Sequence, residues 1–156
     1  MSDNVYLGNP NLKKANTAIE FTQEQILEFV KCKEDPVYFA NNYIKIVSLD
    51  EGLTQFHPYH FQEKLINNFH ENRFNICKMP RQTGKSTTVV SYLLHYAVFN
   101  DSVNIGILAN KAATARELLG RLQTAYENLP KWMQQGIVAW NKGSLELENG
   151  SKILAA

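Results

Sequence analysis

The feature that most constrains the fold is a short apolar run followed directly by a polar loop and an amphipathic helix. Phe74–Met79 is apolar and bounded by polar residues, which is typical of a buried strand, and Pro80–Gly84 has loop composition. Lys85–Phe99 has apolar residues three and four apart, which predicts a helix. A second apolar run, Val103–Ala109, and a second helical pattern, Ala112–Asn128, follow. This order predicts an α/β fold with a central parallel sheet flanked by helices.

The loop between the first strand and helix has the residues of a phosphate-binding loop. The usual P-loop is Gly, four residues and then Gly-Lys-Ser or Gly-Lys-Thr, and here Met79 stands at the first Gly position. Gly84 leaves room for phosphate to approach the backbone. Lys85 would bridge the outer phosphates, and the Ser86 hydroxyl would be a Mg²⁺ ligand. The spacing therefore predicts a site for a nucleoside triphosphate with Mg²⁺.

Backbone amides support the same interpretation. The amides of the residues from Gln82 to Thr87, Thr83 included, can converge on an anion. They would do so at the positive end of the following helix. The alternative is an ordinary helix start with an innocuous lysine, but the strand before it and the strand after it favour the phosphate loop. Arg81 is unusual in such a loop. It is either a surface charge or a second cation that stabilises the transferring phosphoryl group.

The rest of the chain divides by composition. Residues 1–20 are polar without periodicity, which predicts a loose N-terminal arm, and residues 21–72 form a mainly helical part of the same domain. Residues 73–156 form the core, whose end alternates from residue 137 and contains Asn149–Gly150, a hairpin signal. The chain stops inside a predicted strand with no apolar run ending in Asp-Glu after Ser86, so we expect an incomplete sheet.

Composition excludes several classes of protein. A net charge of +1 over 156 residues argues against a strongly basic DNA-coating protein. Cys32 and Cys77 form neither a zinc signature nor a disulfide framework, which favours a reducing compartment. No signal-peptide pattern is present, and no apolar stretch approaches the ~20 residues of a membrane-spanning helix. We therefore expect no membrane association.

Pro80–Thr87 resembles the deviant Walker A motif of the large terminase subunits of tailed bacteriophages, the T-even-like ones above all. Other segments are similar to the same family in the same order, so that the resemblance covers nearly the whole chain: Leu7–Asn16, Val37–Ala40, Ile105–Lys111 and Gly136–Ser151. The resemblance implies an ASCE-type P-loop NTPase fold that uses ATP and Mg²⁺. Its implied partners are double-stranded DNA, the prohead portal and the small terminase subunit, in the host cell cytoplasm. Oligomers are expected only in the full motor.

The resemblance also implies roles for particular residues. Lys85 would be the phosphate lysine, Ser86 the Mg²⁺ ligand and Arg81 a cis-acting arginine. In related motors a glutamine preceded by an aromatic residue helps to hold adenine, and Phe61–Gln62 stands at that place. The alternative for Phe61–Gln62 is an ordinary pair of helix residues.

Catalysis by this chain alone is not expected. The family would place Walker B, the coupling motif and a nuclease domain after Ala156, so we expect a fragment that binds ATP weakly without turning it over. Glu146 and Glu148 alternate with leucines and are expected on a solvated strand edge. The alternatives are a nucleotide kinase, a helicase-like ATPase fragment, and a nonenzymatic interaction fragment. A kinase would normally carry its P-loop near the N-terminus.

Four further features are open to two interpretations. His57 and His60 are either metal ligands or ordinary aromatic and capping residues, and no third ligand is apparent. Asn110–Lys111 is either a DNA-facing loop or a helix start. Trp132 and Trp140 are expected to pack in the core or hairpin rather than to stack on bases. The scattered lysines of the N-terminal half would touch DNA or, as is commoner, lie in solvent.

Overall fold

A computed structural model describes residues 4–156, and within that range it contains five helices and eight short strands. In chain order they are β1 (Val5–Tyr6), β2 (Asn9–Lys13), α1 (Gln23–Glu34), α2 (Pro36–Tyr43), β3 (Lys45–Ser48), β4 (Gly52–Gln55), α3 (His60–Glu71), α4 (Lys85–Phe99), β5 (Asn104–Ile107), α5 (Ala112–Glu127), β6 (Ile137–Trp140), β7 (Ser144–Leu147) and β8 (Lys152–Ala155). The α/β class is confirmed.

Local capping chemistry sets the helix starts. The Thr22 hydroxyl accepts the Gln25 amide while the Gln25 side chain accepts the Thr22 amide, a complete capping box at the start of α1. Asp35 accepts two amides of the first turn of α2. Pro36 follows it at the first helical position, where no N–H is required. Both starts lie in residues 21–72, the part that the sequence predicts to be mainly helical.

Helix α4 is the central element of the fold. After Lys85 it contains no Asp, Glu, Lys or Arg, and it packs against α2, α3 and α5. Its C-terminal carbonyls, which lack helical partners, are satisfied from a distant turn. The Asn149 side-chain amide donates to the carbonyls of Ala97 at 2.9 Å and Asn100 at 3.1 Å. The turn before β8 therefore holds the C-terminal end of α4.

The main sheet is mixed, with the strand order β5-β8-β7-β6. Strand β8 is parallel to β5, with Ile105 opposite Ile153, and antiparallel to β7. Strand β6 is antiparallel to β7. The predicted antiparallel hairpin is thus confirmed, as a three-stranded meander. The predicted central parallel sheet is reduced, in the described part of the chain, to the single parallel pair β5–β8.

The prediction of a buried strand at Phe74–Met79 is wrong for this structure. The segment takes no part in a sheet ladder, Phe74 is 83% exposed and Ile76 is fully exposed. A strand requires a neighbour to accept and donate its backbone hydrogen bonds, and local apolarity cannot supply one. The run lies alone beside α3 and α4 because no described strand reaches it.

The prediction of a loose arm is also wrong for residues 4–16. Strands β1 and β2 pair with each other, and Leu12 is buried in the core. The Ala15 amide donates to the Ile137 carbonyl, so the arm continues onto the edge of the sheet at β6. Gln134 contributes its side-chain carbonyl to the Lys13 amide at 3.0 Å. These long-range contacts order a segment that has no periodicity of its own.

Candidate phosphate-binding site

The loop between Met79 and Lys85 adopts the left-handed backbone conformation at two positions. Gly84 has φ +68° and ψ +21° as the N-cap of α4, and Gln82 has φ +60°. The first suits glycine, whereas the second is costly for a residue with a side chain, by about 1 kcal/mol or more. Left-handed residues within such a turn aim successive amides toward one side, which forms an anion-binding concavity. Two left-handed residues therefore shape the turn that leads into α4.

The start of α4 lacks a side-chain cap. Gly84 has no side chain to accept the first amides, and the first turn of α4 contains no acidic residue. Thr88 is the first residue whose amide finds a helical acceptor, the Gly84 carbonyl at 3.0 Å. The amides of Lys85, Ser86 and Thr87 precede it, at the positive end of the helix dipole. They are available to an anion.

Three side chains of the loop bond to its own carbonyls. The Lys85 ammonium donates to the Met79 carbonyl at 3.2 Å, so the lysine folds back over the loop. The Thr83 hydroxyl donates to the Pro80 carbonyl at 3.0 Å. The Thr88 hydroxyl donates to the Gly84 carbonyl at 2.8 Å. Of the three, the Lys85 bond is the one that joins the two ends of the loop.

Charge around the loop is uniformly positive in sequence. Lys78, Arg81 and Lys85 lie within residues 78–88, which contain no acidic residue. Arg81 is exposed, and within residues 4–156 it forms no ion pair. Its guanidinium is therefore free to approach a bound anion. The Ser86 hydroxyl lies in the first turn of α4, next to Lys85.

Gln62 contacts the phosphate loop directly. Its side-chain carbonyl accepts the Tyr59 amide at 2.8 Å, which satisfies the N-cap amide of α3. Its amide nitrogen donates to the carbonyls of Thr83 at 3.3 Å and Gly84 at 3.5 Å. The residue is only 3% exposed. The sequence indicated a functional glutamine here, but gave no signal for this contact with the loop.

Phe61 lies on the outside of α3, half-exposed and stacked on Tyr59 with ring centroids 5.9 Å apart. It is one wall of an open cavity of about 440 Å³ beside the loop, and the cavity is lined by Phe61, Lys64, Leu65, Asn68, Met79, Pro80 and Thr83. Most of this lining is apolar, as a planar base requires. Thus the structure brings Phe61, Gln62 and the loop together.

The remaining candidates take the ordinary roles. Among residues 4–156 no group of three His, Cys, Asp or Glu side chains could hold a metal ion, and His60 instead lies 3.7 Å from Glu63. Lys111 is the N-cap of α5. Trp132 packs edge-on against Tyr43, and Trp140 packs against Tyr126. In the same range, no helix has the length and apolarity needed to cross a membrane.

Glu148 differs from its prediction as a solvated edge residue. Its carboxylate accepts the Gly136 amide at 2.9 Å and the Asn16 amide at 2.7 Å, and it lies 3.3 Å from the Lys13 ammonium. Partial burial raises the pKa of this carboxyl, but these hydrogen bonds and the lysine together lower the pKa below its ordinary value. Glu146 pairs with Lys152 at a more exposed position. Glu148 is therefore structural, joining the arm to the meander.

Comparison with known protein families gives a match over the second half of the chain. The family model described as "Terminase large subunit, T4likevirus-type, N-terminal" matches residues 76–156. The matched range is slightly more than half of the chain. It begins just before the phosphate loop, includes Gly84, Lys85 and Ser86, and leaves out Phe61 and Gln62.

Proposed function

The chain belongs to the family of N-terminal parts of T4-type large terminase subunits, and from that membership we propose that it binds the phosphates of ATP with Mg²⁺. The coarse function follows from the family: the chain is part of a viral DNA-packaging motor. The observation that carries the proposal is the uncapped start of α4. There Gly84 takes a positive φ and Lys85 follows it directly.

The residues present fit such a ligand. The amides of Lys85, Ser86 and Thr87 would receive phosphate oxygens, with Gln82 and Thr83 shaping the turn before them. The Lys85 ammonium would leave the Met79 carbonyl for the outer phosphates. The Ser86 hydroxyl would complete the shell of Mg²⁺, a cation that prefers small oxygen ligands. Exposed Arg81 would add a second positive charge at the outer phosphate.

The base would occupy the apolar cavity beside the loop. Phe61 of α3 and the loop residues Met79 and Pro80 are among its apolar lining residues. Lys64, Asn68 and Thr83 are the polar residues of its lining. This arrangement supports the aromatic half of the Phe61–Gln62 expectation.

Binding by the purified chain is the test. Titration calorimetry with Mg²⁺-ATP should show saturable binding, and Lys85→Ala should weaken it about 10- to 100-fold, the value of one or two charge-assisted hydrogen bonds. Lys142→Ala, which removes an exposed lysine near the β6–β7 turn, is the matched control and should bind as the parent chain does. Equal affinities for the parent and Lys85→Ala would refute the proposal.

We propose that binding occurs without turnover. Hydrolysis by P-loop motors uses an acidic strand end to hold Mg²⁺ and orient water, and residues 86–156 contain no apolar run ending in Asp-Glu. Phosphate release by the chain should stay at the uncatalysed rate. Release that disappears in Lys85→Ala would contradict this part of the proposal.

The ASCE-type sheet and the partners are proposals of the same kind. A trough of about 740 Å³ separates the extended run at Phe74–Met79 from β5, with Tyr92 and Leu93 of α4 among its lining residues. Further parallel strands in this trough would complete a P-loop sheet between the extended run and β5. Double-stranded DNA, the portal and the small terminase subunit, met in the host cytoplasm, remain the proposed partners of the full motor.

A further inference from the structure

Asn149–Gly150 is the dipeptide of this chain that is most prone to lose ammonia. Asn149 is the one asparagine in the sequence that glycine follows, and glycine has no side chain to crowd its own backbone nitrogen. In this reaction the Gly150 nitrogen forms a bond to Cγ of Asn149. The bond from Cγ to the amide nitrogen breaks, and the Gly150 proton leaves with that nitrogen as ammonia. Water then opens the resulting succinimide to aspartate or isoaspartate.

The fold engages the group that would leave. The Asn149 amide nitrogen donates to the carbonyls of Ala97 at 2.9 Å and Asn100 at 3.1 Å, at the C-terminal end of α4. Its side-chain carbonyl accepts the Ser151 amide at 3.1 Å. Both halves of the side-chain amide are therefore bonded to groups other than Gly150. The side chain must leave α4, and lose these bonds, before Cγ can meet the Gly150 nitrogen.

The fold also engages the attacking nitrogen. The Gly150 amide donates to the Leu147 carbonyl at 3.0 Å, so its proton is held inside the turn. Gly150 has φ +83°, and a Cβ added to it would lie 2.9 Å from the Ser102 hydroxyl oxygen. A larger residue at this position would therefore be strained. The turn thus requires the glycine that makes Asn149 reactive.

Ser151 ties the same turn to the rest of the fold without using Asn149. Its hydroxyl is fully buried, donates to the Asn100 carbonyl at 2.8 Å and accepts the Val103 amide at 3.4 Å. We call the turn Asn149–Ser151, together with the α4 carbonyls that it holds, the α4 clasp. Opening of the clasp breaks the Ser151 bonds as well as those of Asn149.

We propose that Asn149 is a modification site gated by the α4 clasp: it keeps its amide while the clasp is closed and deamidates when the clasp opens. The change is one-way, because a carboxylate has no N–H to donate and its charge would lie at the negative end of the α4 dipole. An isoaspartate would also lengthen the backbone of the turn. The modified clasp therefore cannot close as before. The inference does not depend on nucleotide binding.

Mass spectrometry measures the gating. Trypsin cleaves after Lys142 and Lys152 and releases residues 143–152, whose deamidated fraction is followed during incubation of the intact chain. A synthetic peptide of the same residues in the same buffer is the open reference. The folded chain should react about 100-fold more slowly, the factor for an opening that breaks the three hydrogen bonds of the Asn149 side chain. Equal rates would overturn the inference.

Ser151→Ala loosens the clasp and leaves the reactive pair intact. It should speed deamidation of the folded chain about fivefold, the value of one hydrogen bond, and leave the rate of the matching peptide unchanged. Ser144→Ala is the control, because that hydroxyl accepts the Asn141 side-chain amide in the β6–β7 turn. It should react at the parental rate. A parental rate in folded Ser151→Ala would overturn the gating.

A second measurement covers the case in which Ser151→Ala does not fold. Dilute urea, below the unfolding transition that circular dichroism reports, should speed deamidation of the parent chain, because the clasp opens locally. A rate that rises only with global unfolding would overturn the inference.

Asn149→Asp reproduces one product and tests whether the change is one-way. Its melting temperature should fall by about 5 °C, because the α4 carbonyls lose their donor. Asn141→Asp adds the same charge at an exposed turn and should melt within about 1 °C of the parent. A parental melting temperature in Asn149→Asp would show that the clasp closes with a carboxylate, which would overturn the one-way character of the site.

Discussion

At the scale of single residues, His95 couples stability to pH. It is 2% exposed in α4, and its Nε2–H donates to the Cys32 carbonyl at 2.8 Å, while Nδ1 has no partner among the described residues. Burial lowers its pKa from 6.5 to about 4, against the opposing effect of the Cys32 hydrogen bond. The unfolded chain therefore takes up a proton at a higher pH than the folded chain does.

Stability should consequently fall as the pH drops from 6.5 toward 4, and should be insensitive to His95 above that range. The loss between pH 7 and pH 5 is about 2 kcal/mol, measured as the free energy of unfolding in urea. His95→Asn should be less stable at pH 7 but should lose this part of the slope. The exposed His57→Asn is the control and should keep it; identical slopes for both variants would refute the assignment.

Gly84→Ala tests the loop at the same scale. The positive φ and the 2.4 Å approach of Gln62 both oppose a Cβ, so we expect a loss of about 2 kcal/mol in unfolding free energy. Adding Gln62→Ala relieves the clash but not the backbone strain, so the cost of Gly84→Ala should shrink in that background without vanishing. Gly143→Ala, where a Cβ meets nothing within 4 Å, is the control. If Gly84→Ala lowers the unfolding free energy equally in both backgrounds, the added Cβ does not clash with Gln62.

At the scale of elements, Glu148 anchors the β1–β2 arm. Glu148→Ala should cost about 2 kcal/mol and speed tryptic cleavage after Lys13 and Lys14, because two amides and an ammonium lose their acceptor. Glu146→Ala removes a more exposed ion pair on the same strand and should cost at most about 0.5 kcal/mol. Equal effects of the two substitutions would contradict the anchoring role.

How far the sequence predicts these elements depends on how local their causes are. The starts of α1 and α2 follow from capping residues within three positions, and the β7–β8 turn follows from Asn149–Gly150. The attachment of the β1–β2 arm does not follow from nearby residues, because Glu148 lies 132 residues from its partner Asn16. Likewise the motif identified Lys85, but the Gln62 contact depends on how α3 packs beside the loop. Periodicity cannot report contacts of that kind.

At the scale of the whole molecule, the buried core and the unpaired run Phe74–Met79 contribute differently to the free energy of folding. Helix α4 and the meander bury apolar residues such as Leu94 and Leu145 completely, whereas Phe74 and Ile76 project from an unpaired segment. Tertiary packing, rather than strand propensity, carries the stability of a domain. Most of the free energy of folding should therefore come from the packing of α4 and the meander.

The double substitution Phe74→Ser with Ile76→Ser tests this division. Both side chains lie in solvent, so the unfolding free energy of the chain should change by less than about 0.5 kcal/mol, and the monomer should become more soluble as exposed apolar area is removed. Leu94→Ala is the buried comparison and should cost about 2 to 5 kcal/mol. A loss above about 1 kcal/mol in the double variant would mean that the segment is packed in solution, either against this chain or against a second copy. Sedimentation of the parent and the variant separates these two cases, because only the second case changes the mass with concentration.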